Sequence, residues 1–146
     1  MDKKDFNDVY KLMQETSKLQ ACSSKNCSDL KMILMNDKKY IAINAKYKSE
    51  KNEKKKDKLL DTISKNELLY NYNKCVLNNC KKIFKKFFNI IKVVLNKIPK
   101  SHPDYDKLHK MIGELDNFYK LKNITKEQHE IYVKNIEKLM TAMSKQ

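Results

Sequence analysis

The sequence predicts an all-α protein, a small bundle of five or six helices in a single domain spanning residues 1–146, and three observations lead there. One glycine and two prolines in 146 residues are too few turn formers for a strand-rich fold. Apolar residues, 40% of the chain, recur at three- and four-residue spacing through most segments. Helix-starting and helix-breaking residues fall between those segments.

Phe6, Val9, Tyr10 and Met13, with Leu12 and Leu19 widening the stripe, predict an amphipathic helix from residue 3 to about 21. It stops near the turn-forming run CSSKNCS. Ser28 as N-cap and Asp29 in the first turn open a second helix, whose inward positions are Leu30, Ile33, Leu34, Ile41 and Ala45 and whose end is near Tyr47. Residues 48–58, KSEKNEKKKDK, hold six lysines, three acids and nothing apolar, which marks a solvated bend or a frayed helix tip. Leu59, Leu60, Ile63, Leu68, Leu69, Tyr70 and Tyr72 resume a helical pattern up to Cys75.

The next stretch is the most regular. Val76, Cys80, Ile83, Phe84, Phe87, Ile91, Val94, Leu95 and Ile98 make one face, while Lys74, Lys81, Lys82, Lys85 and Lys92 with Asn78, Asn89 and Asn96 make the other. Pro99 ends it. Ser101 and Pro103 begin another helix, with Tyr105, Leu108, Ile112, Leu115, Phe118 and Tyr119 inward and Gly113 in its interior at some cost. Thr125 and Gln128 form a capping box for a last helix carrying Ile131, Tyr132, Ile136, Leu139 and Met143.

The basic excess is 32 residues against 18 acids, and all 32 are lysine. Without a single guanidinium fork the chain can attract polyanions but is poorly equipped to read bases. Lysine- and asparagine-rich coding bias is the plainer origin of such a surface. Residues 74–100 concentrate the charge, with eight lysines and no acid. Lys74, Lys81, Lys82, Lys85, Lys86 and Lys92 are therefore the candidate contacts to a polyanion or partner.

Cys22-Ser-Ser-Lys-Asn-Cys27 and Cys75-Val-Leu-Asn-Asn-Cys80 share a C-x4-C spacing and an asparagine before the second cysteine. The point midway between Cys27 and Cys75, residue 51, lies in the lysine-rich bend. An antiparallel helical hairpin over about 28–74 would then bring Cys27 to Cys75 and Cys22 to Cys80. Five residues turn a helix by about 140°, so at least one motif must sit at a helix break, and the serine-rich first motif fits. Closing the inner loop would contribute roughly 4 kcal/mol in the chain-entropy model. Zinc on four thiolates and four reduced core cysteines are the other two readings, the first lacking the usual C-x2-C knuckles.

No catalytic pattern emerges. Phosphate loops, dinucleotide turns and nucleophile elbows need glycines that the chain lacks. His102, His109 and His129 have no metal-ligand spacing and are expected on the surface. No enzyme activity, cofactor, metal or small-molecule substrate is expected. With no apolar core of signal-peptide length near Met1 and Asp2 where myristoylation needs glycine, neither secretion by the usual route nor that modification is expected, and Phe87–Leu95 is too short to span a bilayer.

The small lysine- and asparagine-rich helical chain with Cys-Ser-Ser-Lys-Asn-Cys and Lys-Cys-Val-Leu-Asn-Asn-Cys resembles small virion proteins of large nucleocytoplasmic DNA viruses with AT-rich genomes. The resemblance implies a minor capsid or virion-internal protein, assembled in the host cytoplasm, with disulfides installed by a virus-encoded thiol oxidase. The expected function is a non-enzymatic structural protein bridging larger virion subunits. Two other uses of the 74–100 helix stand beside it: packaging of nucleic acid through its lysines, and peripheral binding to an anionic membrane surface.

Overall fold

The computed structural model describes residues 3–116, 118 and 123–144, and among them every regular element is a helix. Eight helices follow in order: α1 Lys3–Asn26, α2 Ser28–Asn36, α3 Lys38–Ser49, α4 Glu53–Ser64, α5 Glu67–Asn79, α6 Lys81–Leu95, α7 Tyr105–Asp116 and α8 Lys126–Ser144. The all-α expectation holds, and the count exceeds five or six because the predicted helices over 28–47 and 59–75 are each broken once.

Short polar side chains account for both breaks. Asp37 leaves the helical region (φ −76°, ψ 116°) and its carboxylate accepts the Tyr40 N–H at 2.9 Å, ending α2 and starting α3. Asn66 does the same for α5, accepting the Leu69 N–H at 3.0 Å. Each provides an N-cap that competes with helix continuation. Asn52 caps α4 in the same way, so the solvated bend narrows to residues 50–52 and the lysines after it form the exposed first turns of α4.

The first six helices fold as one long hairpin about that bend. α3 lies against α4, α2 against α5 and α1 against α6, while α8 packs on α4, α5 and α7. The main core joins Leu77, Phe84, Phe88, Ile91, Leu95, Leu108, Leu115 and Leu139, with the rings of Phe84 and Phe88 parallel at 6.3 Å. A second cluster, Leu34, Tyr47, Leu60, Ile63 and Leu69, fills the hairpin toward its tip.

Breaking the second helix at Asp37 also resets its phase. Ile33, Ile41 and Ala45, expected inward, are exposed, and Tyr40, Ile43 and Tyr47 pack against the second cluster instead. In α1, Tyr10 and Met13 likewise face outward. Leu12 and Leu19 do the packing, because they share a stripe with Cys22, whose bond to α5–α6 sets the rotation of the helix. Phe6 and Val9 lie outside the described side chains, as does Met143, and Tyr119 lies outside the described residues.

Later elements follow the sequence more closely. α6 ends three residues before Ile98, ahead of Pro99, and its Phe84, Phe87, Phe88, Ile91 and Leu95 are buried. Leu108, Met111, Ile112 and Leu115 form the inward side of α7, and Phe118 beyond it is buried too. The capping box before α8 is formed in both directions: Gln128 N–H to Thr125 Oγ1 at 3.2 Å and Thr125 N–H to Gln128 Oε1 at 2.9 Å. Ile131, expected inward, is exposed.

His129 departs most from expectation. It is 1% exposed, its Nδ1 lies 3.2 Å from the Ser64 carbonyl and its Nε2 lies 3.1 Å from the Asn73 amide nitrogen. The pair assigns Nδ1–H as donor and Nε2 as acceptor, which describes a neutral ring. Burial lowers its pKa from 6.5 to about 4, against the opposing effect of the Ser64 carbonyl. An isolated histidine on an apolar stripe thus ties α8 to the end of α4 and to α5.

Candidate functional site: the cysteine crossing and the lysine face

Both cysteine motifs sit at helix kinks, where at least one, the first, was expected to. α1 continues through Ser23 and Ser24 despite their low helix propensity. Ser23 is buried, and its hydroxyl is hydrogen-bonded to that of Tyr72, so the position is held by a tertiary contact that local propensity does not register. The chain leaves helical geometry only at Cys27 (φ −129°, ψ 27°) and again at Cys80 (φ −121°, ψ 28°).

The two kinks are built alike. Cys27 N–H bonds the Ser23 carbonyl and Cys27 C=O accepts from Lys31; Cys80 N–H bonds the Val76 carbonyl and Cys80 C=O accepts from Phe84. The preceding asparagines fold back in parallel, Asn26 Nδ2 to Cys22 O at 3.0 Å and Asn79 Nδ2 to Cys75 O at 2.8 Å. The asparagine shared by the two motifs therefore steadies the last turn before each kink.

The crossing is closed by two disulfides, Cys22–Cys80 and Cys27–Cys75, each with Cα atoms 6.1 Å apart. The first cysteine of each motif bonds the second cysteine of the other, which gives the crossing local two-fold character: α1–α2 and α5–α6 are kinked helices run antiparallel. Cys27 and Cys80 are buried with Val76, while Cys22 and Cys75 are half-buried. With all four sulfurs paired, no thiolate remains to act as nucleophile or zinc ligand. Among the described residues no group of three or more His, Cys, Asp or Glu is placed to hold a metal ion.

The six candidate lysines do not form one uniform patch. Lys82, Lys85 and Lys86 are exposed on the outer side of α6, and half-buried Lys81 opens its first turn. Lys92 is drawn inward, paired with Asp116 and lying 5.1 Å over the Phe88 ring. Lys74 leans over Tyr70 at 5.8 Å. The first turn of α6 contains no acid, so Lys81 and Lys82 stand at the positive end of the helix dipole, an arrangement that costs a few tenths of a kcal/mol and that a nearby anion would relieve. The apolar face of α6 is committed to the core. Among the described residues no helix is long and apolar enough to cross a membrane.

Two further surface features escaped the sequence reading. α2 buries only Leu34 and turns Met32, Ile33 and Met35 to solvent, each at least half exposed. A cleft between α3, α4, α5 and α8 gathers Tyr40, Tyr47, Tyr132 and Glu137, residues up to 97 positions apart whose shared surroundings leave no local pattern. No family model matches the chain, and comparison with curated proteins and with solved structures likewise yields no match.

Proposed function

We propose that the protein is a non-enzymatic structural and interaction protein, a minor virion component that bridges larger subunits. The observation that carries this is the stapled crossing beside an outward apolar face. The Cys27–Cys75 bond anchors the start of α2 to α5, so Met32, Ile33 and Met35 are presented on a helix already fixed in place. Lys25, Lys31, Lys38 and Lys39 flank them in sequence, which suits an acidic subunit with an apolar ridge. A second copy of this chain, with net charge +14, is a poor match.

Quantitative mass spectrometry of purified particles tests the reading. The expected result is the protein in fixed proportion to the main shell subunits, retained after a high-salt wash, with Met32→Ser/Met35→Ser reducing its incorporation. Absence from the particles would overturn it.

A second reading is favoured by the dipole-opposed lysines of α6. Lys81, Lys82, Lys85 and Lys86 would meet nucleic-acid phosphates without base recognition. Retardation of duplex DNA that weakens steeply with salt, and that glutamine at these four positions abolishes, would support it; no retardation at low salt would remove it.

A further inference from the structure

The cleft on the second core cluster has a volume of about 230 Å³, small enough to take one slender group and too small for a typical drug-sized ligand. Its floor is apolar, from Leu60, Ile63 and Leu69 on one side and Val133 and Ile136 on the other. Tyr40, Tyr47 and Tyr132 supply ring surface, and Glu137 on α8 supplies a carboxylate whose charge reaches the Tyr47 hydroxyl. Asn44 and Asn73 add amide groups, and Lys48 stands on the same lining.

We propose that this cleft binds the ammonium end of an unbranched alkylamine, with the ammonium on Glu137 among the tyrosine rings and the methylene stem along the apolar floor. An anionic ligand would be pressed against Glu137. A purely apolar ligand would bury that carboxylate and the amides without replacing their water. A primary ammonium on an alkyl chain satisfies both halves of the lining, and tyrosine faces attract it further.

One of these rings already engages such a group. Lys56, which does not line the cleft, places its Nζ 4.9 Å from the Tyr47 ring centre. Carboxylates also bear on these rings: burial first, then the charge of Glu137, raises the pKa of both Tyr40 and Tyr47, and Tyr47 senses Asp57 and Glu53 as well. Lys48 opposes a cation, so the site is suited to one ammonium group and not to a dense polycation.

The alkylamine can be a free diamine or a lysine side chain of another protein. Calorimetric titration of the full-length, disulfide-intact chain with n-butylammonium, putrescine and Nα-acetyl-lysine methylamide, against butanol and butyrate, tests the proposal. Saturable binding of the amines alone is expected, with putrescine tighter if the source is a free diamine and the lysine amide tighter if it is a protein. Glu137→Gln should weaken butylammonium about tenfold or more, the scale of a charge-assisted hydrogen bond. Lys48→Gln should strengthen it, and Tyr40→Leu, at a half-exposed position, should weaken it while the helical circular dichroism is unchanged. Binding of butanol or butyrate as tight as that of butylammonium, or no amine binding at all, would overturn the proposal. So would an unaltered affinity in a folded Glu137→Gln or Tyr40→Leu chain.

Discussion

The two arms of the hairpin are held together differently along their length. At the crossing, the buried cluster is Cys27, Val76 and Cys80, too little apolar surface to hold four helix ends, and two covalent bonds do the holding. Toward the tip, Leu34, Tyr47, Leu60, Ile63 and Leu69 form a packed cluster that holds the arms noncovalently, and α8 covers it, tied to the second arm by the Lys134–Asp61 ion pair at 2.6 Å and the His129 hydrogen bonds. Cross-links lie where the buried cluster is smallest. Where packing is adequate, polar side chains are used to orient helices and leave room for a cleft.

Removing the cross-links should have the largest effect. The inner bond closes a separation of 48 residues and is worth about 4 kcal/mol in the chain-entropy model; with it in place, the outer bond closes only a ring of about ten residues and adds about 3 kcal/mol. Either pair replaced by alanine should leave a folded chain with a lowered urea midpoint. Both pairs replaced should cost about 7 kcal/mol, comparable to the whole stability of a domain this size, and circular dichroism should show loss of cooperative unfolding. If both replacements together leave the midpoint unchanged, packing at the crossing has been underestimated.

The tip should respond to pH instead. His129 is neutral when folded, with its pKa lowered from 6.5 to about 4, so the unfolded chain binds a proton across that interval that the folded chain refuses. Stability is therefore complete above about pH 6.5 and declines as pH falls toward 4, by on the order of 3 kcal/mol from this group. Urea midpoints of the native chain and of His129→Asn at pH 7 and pH 4.5 isolate it: the variant is less stable at pH 7 and loses less on acidification.

Smaller effects test the local rules. Asn66→Ala removes the acceptor for the Leu69 N–H and should cost about 1 kcal/mol, read as a fall in thermal midpoint. Gly113→Ala should raise stability by about 0.5–1 kcal/mol, because the position is exposed inside α7 and an added Cβ meets nothing within 4 Å. That gain should appear equally in the oxidised and reduced chains, since α7 lies outside both disulfide loops.

Sequence periodicity located α6 and α7 well, because their buried faces are long, regular and coded by large side chains. It failed in α1 and between residues 28 and 49. Tyr10, Met13, Ile33 and Ile41 are apolar yet face solvent, and the phase there is set by one disulfide and one aspartate cap, neither of which a count of apolar residues can weigh. The cysteine pairing was legible from symmetry about residue 51, since antiparallel arms must match positions equidistant from their turn.

The amino-acid order alone determined that this chain is helical, where some of its ends fall, and which thiols can meet, because these follow from backbone propensity, capping chemistry and chain geometry over short or symmetric spans. Only the tertiary structure decided that Ser23 would remain helical, that His129 would be buried and neutral, and that three tyrosines and Glu137 would share a cleft. Those outcomes depend on which helix faces which, and that is set by packing among residues whose spacing in sequence is arbitrary.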